Sequence, residues 1–485
     1  MNCVDYFLKD HDLRQKDFIL GRKETLSYQD LKDGVLKLSQ WLNDKIGTRQ
    51  KVVLLMPNCN FSVISYLAIM KSGNVVVPLN PAIEKTGLQH VIATCEAPMA
   101  IMTKQLITKL NPNLAFTVSE ADLASILESD MCLEWQATMA KEDELAQIIF
   151  TSGSTALPKG VMISHGNIIA NTNSIISYLA LNEKDTIEVV LPFFYCYGLS
   201  LLHTHLKVGG SIVLNNTFIF INSVIDDLIK YKCTGFAGVP SHFQILLRKS
   251  ESFKSNTYPD LRYVTQAGGK LHTSFIKEFC SAFEATDFYV MYGQTEATAR
   301  LSYLDPRQLG LKLGSLGKGI PDVELQVVNS EGEKVKVGET GEIRAKGKNV
   351  MLGYYKEPKE TAETIRDGWL YTGDLATVDE EGFIFHAARR KEIIKVGGKR
   401  VSPKEIEGVI LDMPEVVDCT IEAVNDDLLG EAIKAIIVLN NTKKGVSEYE
   451  IKEYCAARLA NYKIPKLISF TDKVRVNAAG KKVKG

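Results

Sequence analysis

Residues 149–160 read IFTSGSTALPKG, and this stretch decides the fold. An apolar run, 147–150, leads into a loop of small and hydroxyl residues that ends in Pro158-Lys159-Gly160. Small residues such as Gly153 let a backbone close around a polyanion, with its N–H groups aimed at phosphate oxygens. Thr151, Ser152, Ser154 and Thr155 add hydroxyl donors, and Lys159 adds a positive charge. The loop is not a Walker A motif, because no Gly-Lys-Ser/Thr opens a helix.

Bulk properties set wide bounds. The 485 residues allow two or more domains and a large buried core. A net charge of −1 gives no overall attraction to nucleic acid or to an anionic membrane, so polyanions must be held by local positive clusters. The N-terminal MNCVDYFLKD lacks a basic-then-apolar signal pattern. No apolar run reaches the ~18 residues of a membrane helix. The nine cysteines are scattered and form no C-x-x-C pair, which fits free thiols in a cytoplasmic protein.

Along the chain, helix and strand patterns alternate. Ser27 is placed to cap a helix carrying Leu31, Val35, Leu38 and Leu42 on one side. Residues 51–56 (KVVLLM) and 75–79 read as buried strands around a helix over 61–71. The pattern returns at 211–214, 235–239 and 261–267. Apolar strands separated by helices imply an α/β fold with parallel sheets covered on both faces. Residues 310–350 turn Gly-rich with short alternating runs, which suggests an antiparallel, barrel-like subdomain. A boundary is expected near residue 388, and the residues beyond it read as a small α+β unit.

Four later segments follow the first loop in order: Tyr292-Gly293-Gln294-Thr295-Glu296, Tyr371-Thr372-Gly373-Asp374, the basic run at 389–395, and Asn477-Ala478-Ala479-Gly480-Lys481. Together they closely resemble the adenylate-forming superfamily of acyl-CoA synthetases, peptide-synthetase adenylation domains and beetle luciferases. The resemblance spans roughly residues 25–481. It implies a large N-terminal domain (1–388) of α/β subdomains plus a distorted β-barrel, which binds ATP and the acyl group. It also implies a small mobile α+β lid (389–485).

The resemblance also assigns roles. The loop Thr151, Ser152, Gly153, Ser154, Thr155 and Lys159 would grip the β- and γ-phosphates of ATP. Ala156 stands where the family usually has glycine. Glu296 would hold Mg2+, and Thr295 would donate to the α-phosphate. Tyr292, with Gly293 and Gln294, would meet adenine. Gly268 and Gly269 would bring backbone close to the adenine and acyl pockets. Asp374 would accept from the ribose hydroxyls, with Arg389 beside it and Lys391 at the hinge. Ala388 departs from the Asp or Gly that the family carries there. Lys481 would stabilise charge in the adenylation step. Lys395, Gly397 and Gly398 would line the path of the CoA pantetheine.

Residues 191–200, LPFFYCYGLS, resemble the segment that lines the acyl pocket. Tyr195, Tyr197 and Val239 favour an apolar or aromatic acid. No acidic residue stands in 193–198 to pair with an α-ammonium, so an α-amino acid is disfavoured. Arg300 either meets a second acid group on the substrate or serves the structure. Residues 389–404 carry seven basic groups against one acid, Glu392, and suit the phosphates of CoA or an acidic carrier protein. The expected activity is an AMP-forming carboxylate–CoA ligase, with ATP, Mg2+ and CoA. The alternative is a stand-alone enzyme that loads an acyl or aryl group onto an acyl or peptidyl carrier protein. A nucleotide-binding protein without catalysis is a third reading, disfavoured by the complete set Lys159, Glu296, Asp374, Arg389 and Lys481. Neither nucleic acid nor a membrane span is expected.

Overall fold

The computed structural model describes the chain except residues 9–15, 23, 131–132, 139, 152–157, 217, 219, 390–393, 397–398, 427–429, 441–444 and 478–485. The aliphatic runs Val75–Pro78, Lys51–Leu55 and Met99–Met102 are adjacent parallel strands with nearly every side chain buried. Val52 and Leu54 enter one core cluster, whereas Val53 and Leu55 enter another. Both faces are therefore covered, which is why the runs are continuously apolar rather than alternating. The helix Tyr28–Ile46 supports this sheet. Ser27 caps it by accepting from the Asp30 N–H at 3.0 Å, and Leu31, Val35, Leu38 and Leu42 are all buried.

Phe116–Val118 closes one edge of this seven-stranded sheet. At the other side Leu145–Thr151, Lys159–Ser164 and Gly353–Tyr354 follow in order. The sequence reading treats Lys159 and Gly160 as the end of a loop. The structure puts both in the strand Lys159–Ser164, antiparallel to Leu145–Thr151, with Lys159 opposite Thr151. Lys159 thus sits on a hairpin rather than on a free loop.

A second, nine-stranded sheet has six parallel strands in the order Asp287–Tyr292, Tyr263–Gln266, Gly235–Gly238, Thr186–Val189, Ser211–Leu214 and Asp17–Leu20. Ligands of open α/β sheets bind beyond the carboxyl ends of the strands. Here those ends are Tyr292, Gln266 and Gly238. An open antiparallel half-barrel follows, built from Val323–Val328, Gly341–Gly347, Ile365–Arg366, Trp369–Val378 and Ile384–Arg389. The C-terminal α+β unit has its own five-stranded sheet and the helices Pro403–Leu411 and Glu448–Ala456. Among the described residues no helix is long and apolar enough to cross a membrane, and every cysteine is free.

Arg248 ties the C-terminal unit to the second sheet. It lies in the helix Pro240–Lys249 and is only 8% exposed. Its guanidinium donates to the carbonyls of Leu411 (3.3 Å), Met413 (3.1 Å) and Val416, and to Glu278 at 3.1 Å. Leu411 is the last residue of a helix, where unpaired carbonyls carry partial negative charge. Gln244, one turn earlier, donates to Asp418 at 3.1 Å. Arg248→Met would strand three buried carbonyls. It should lower stability by about 2–4 kcal/mol in denaturant unfolding. Amide exchange should rise more over 403–426 than over 51–102, and an even rise across both would refute this docking role.

Candidate active site

The strand Asp287–Tyr292 is buried from Phe288 to Met291 and delivers Tyr292, Gly293 and Gln294 to the sheet's carboxyl edge. A tight 3-10 turn, Thr295–Ala297, follows. A Cβ at position 293 would lie 2.0 Å from the Ala299 carbonyl oxygen, so only glycine lets the returning chain pass. Thr298 closes the turn at φ +64°, a costly conformation for threonine. Its hydroxyl is held at 2.7 Å by the Asn349 carbonyl. The Asn349 amide donates to the carbonyls of Arg300 (2.8 Å) and Ala297 (3.3 Å).

This clamp places Glu296 half-buried, with Oε1 accepting from the Tyr354 hydroxyl at 2.9 Å. Burial, and then the Glu296 carboxylate, push the Tyr354 hydroxyl well above its usual pKa, so it remains a donor. Lys159 lies 5.5 Å over the same tyrosine ring, and its Nζ pairs with Glu360 at 2.5 Å. Glu360 comes from the helix Pro358–Thr364. Lys159 and Glu296, distant in sequence, are therefore joined through Tyr354. Neither Tyr354 nor Glu360 is singled out by the sequence. Tyr354 belongs to a two-residue strand, too short to leave a periodic signal.

Asp374 is 3% exposed, on the strand Trp369–Val378 of the half-barrel. It accepts from the Tyr292 hydroxyl at 2.7 Å, and His386 Nε2 lies 3.7 Å from its other oxygen. Its backbone N–H donates to the Thr372 hydroxyl at 3.2 Å, and its main chain pairs in register with Arg389. Tyr292, Gln294, Thr295, Glu296, Lys159 and Asp374 thus come together from three sheets. His386 has no local sequence signal, because only strand pairing brings it to Asp374.

The wall beside this group comes from the segment 191–200. Tyr195 caps the helix Cys196–Val208 and packs its ring 4.7 Å from Phe194. Tyr197 is buried and donates to the Thr265 carbonyl at 2.9 Å. Cys196 Sγ lies 3.6 Å from the Thr295 hydroxyl, which fixes the segment against the turn. Val239 follows the strand Gly235–Gly238, at the start of the helix Pro240–Lys249, and is 1% exposed. Gly268, at φ +82°, and Gly269 form the loop after Tyr263–Gln266, closed by Gln266 Nε2 donating to the Gly269 carbonyl at 2.7 Å.

Ser152, Gly153, Ser154, Thr155, Lys391, Gly397, Gly398 and Lys481 lie outside the described residues, as does the Arg389 side chain. Lys395 is exposed on the C-terminal sheet, its backbone N–H donating to Glu431 at 2.6 Å. No cluster of three or more His, Cys, Asp or Glu residues stands ready for a metal among the described residues. Glu296 alone fits a cation that keeps most of its water and shares phosphate oxygens, the habit of Mg2+.

The chain resembles known proteins over most of its length. Residues 10–355 match the AMP-binding enzyme family, and residues 405–481 match the AMP-binding enzyme C-terminal domain. A long-chain-fatty-acid–CoA ligase of Bacillus subtilis is 30% identical over 95% of this chain and 89% of its own. A feruloyl-CoA synthase of Amycolatopsis is 30% identical over 95% of this chain and 93% of its own. Among solved structures, the anthranilate CoA ligase AuaEII with anthranoyl-AMP superposes with a TM-score of 0.91 at 24% identity, over 99% of this chain and 95% of that one. The o-succinylbenzoate CoA synthetase of Bacillus subtilis with its acyl-adenylate superposes with a TM-score of 0.85 at 25% identity, over 99% and 96%. The chain therefore belongs to the AMP-binding enzyme family, within the adenylate-forming superfamily of acyl-CoA synthetases, and is an AMP-forming acid–thiol ligase.

Proposed function

We propose that the protein activates an apolar or aromatic carboxylic acid as acyl-AMP and then transfers the acyl group to the thiol of CoA. One observation carries this reading. Lys159, Glu296 and the Tyr292–Asp374 pair surround one sheet edge, directly beside a wall of aromatic side chains. In the first step a carboxylate oxygen attacks the α-phosphorus of ATP, and the bond to pyrophosphate breaks. In the second the thiolate attacks the acyl carbon, and AMP leaves with the bonding electrons.

The residues divide this work. Lys159, with Thr151, Ser152, Gly153, Ser154 and Thr155, holds the β- and γ-phosphates, exchanging Glu360 for phosphate oxygens. Thr295 donates to the α-phosphate, and Glu296 holds Mg2+. The cation would neutralise phosphate charge when bound. Tyr292 offers its face to adenine, with Gly268 and Gly269 allowing close approach. Asp374 and Arg389 meet the ribose. Lys481 donates to the charge gathered between carboxylate and α-phosphate. Residues 389–485 act as a lid hinged at Lys391, with Lys395, Gly397 and Gly398 along the thiol's path. Tyr195, Tyr197 and Val239 shape the acid pocket.

ATP, Mg2+ and a panel of carboxylic acids, with and without CoA, should give AMP and one class of acyl-CoA by mass spectrometry. Acyl-AMP that accumulates regardless of CoA would instead favour a carrier-protein thiol, which the basic run at 389–404 also suits. No AMP from any acid would refute the reading.

Two variants separate the roles. Lys481→Ala should slow adenylation by about 100-fold or more while sparing thioester formation from supplied acyl-AMP. An equal loss in both half-reactions would remove that assignment. Glu360→Gln removes the carboxylate that competes with triphosphate for Lys159. A half-exposed pair of this kind contributes about 0–1 kcal/mol, so ATP should bind up to about fivefold tighter in calorimetry. Weaker ATP binding would mean that Glu360 helps to hold the nucleotide.

A further inference from the structure

His386 lies on the strand Ile384–Arg389, which pairs with Trp369–Val378 in the half-barrel. The pairing is not regular. Ala376 stands opposite His386 and Leu375 opposite Ala388, so Ala387 is an extra residue on one strand only, a β-bulge. Successive side chains of a strand alternate between faces. In an unbroken ladder position 388 would stand opposite Asp374, and position 389 would belong to the other face. The bulge puts position 389 opposite Asp374, while His386, opposite Ala376, stays on the Asp374 face. Bulges are a common means of re-aiming side chains beside active sites.

The result is a donor and an acceptor at a set spacing. His386 Nε2 lies 3.7 Å from Asp374 Oδ1, and the other carboxylate oxygen accepts from the Tyr292 hydroxyl at 2.7 Å. A carboxylate oxygen opposite Nε2 favours the tautomer that carries its proton there. At 3.7 Å the two atoms are too far apart for a direct hydrogen bond. One oxygen placed about 2.8 Å from each closes the gap. A hydroxyl suits that place with both its functions, because it donates to the carboxylate and accepts from the imidazole. The neighbouring Gly373 is exposed, and a Cβ there would meet nothing within 4 Å, so open space adjoins the backbone at Asp374.

We propose that Asp374 and His386 together grip one ribose hydroxyl of ATP, and that His386 makes the protein selective for the ribonucleotide over the deoxynucleotide that lacks this hydroxyl. The proposal rests on the placement of the ribose at Asp374 in the reading above and supplies the second half of the grip. Asp374 takes the hydroxyl proton, and His386 Nε2 donates to the hydroxyl oxygen. His386 sets nucleotide choice here and takes no part in the attack on the α-phosphorus.

The test measures binding of ATP, 2′-deoxy-ATP and 3′-deoxy-ATP to the full chain with Mg2+ by calorimetry, which needs no acid substrate. The unsubstituted protein should bind ATP about tenfold or more tighter than one of the two deoxynucleotides, because that analogue leaves both the carboxylate and the imidazole unmatched. His386→Phe should weaken ATP by about three- to tenfold and leave that deoxynucleotide nearly unchanged, so the preference shrinks. His386→Gln, which keeps a donor, should retain part of the preference. Equal weakening of all three nucleotides by His386→Phe would mean that the ring only supports the sheet, and the proposal falls. It falls also if the substitution leaves ATP affinity unaltered, or if the unsubstituted protein binds all three alike. Acids adenylated by a protein indifferent to both ribose hydroxyls would leave the proposed function standing without it. Ribose selectivity without AMP formation from any acid would do the reverse, and failure to bind any of the three nucleotides would remove both.

Discussion

The buried Asn349 side chain is the constraint on which the site depends. It holds the 295–300 turn from beneath, through the carbonyls of Ala297 and Arg300. Its own segment is held in turn by Asn167, whose amide donates to the carbonyls of Lys348 (2.7 Å) and Val350 (2.9 Å). Asn167 is the third residue of a helix capped by Ser164, and its side chain reaches back to the Ser164 N–H at 2.9 Å. Ser164 ends the strand that Lys159 begins. A continuous chain of hydrogen bonds thus connects the Lys159 hairpin to the Glu296 turn. Each link would cost about 1–3 kcal/mol to leave unmade, which keeps the two halves in register without a shared strand.

The charged groups of the site are each held by a partner of moderate strength. Lys159 rests on Glu360, Glu296 on Tyr354, and Asp374 on Tyr292. The Lys159–Glu360 pair is partly exposed, so water screens it and a polyphosphate can displace Glu360 cheaply. The Tyr292 hydroxyl donates to one oxygen of Asp374, and His386 lies beside the other. These contacts organise the side chains in advance, which reduces the ordering that a nucleotide would otherwise impose.

Much of the fold is legible in the sequence because the signals are local. The 3.6-residue period over 28–46, with Ser27 in front, and the apolar runs at 51–55 and 75–78 appear within a residue or two of where they are expected. The helix Pro403–Leu411 of the expected α+β unit has the same kind of local signal, since proline opens it and its apolar positions recur at helical spacing. Lys159 is misjudged as loop because Pro158-Lys159-Gly160 carries turn chemistry while its neighbours pair as strands. Tyr354, Glu360, His386 and Asn349 escape altogether. Each acts on a residue more than ten positions away, and nothing in its own neighbourhood marks that contact.

The acid pocket shows why substrate identity is harder to read than the nucleotide half. Two close backbone approaches set its frame. A Cβ at Gly198 would lie 2.2 Å from the Pro192 carbonyl oxygen, and one at Gly293 would lie 2.0 Å from that of Ala299. These contacts fix where positions 195, 197 and 300 project, whatever residues occupy them. Local reading of 191–200 then finds the aromatic wall but not the residues that meet it from other elements, Thr265 at Tyr197 and Thr295 at Cys196. On the proposed reading, selectivity between acids would rest on a few side chains whose positions these two close approaches fix, so it changes with residues that leave the backbone, and its local signals, unaltered.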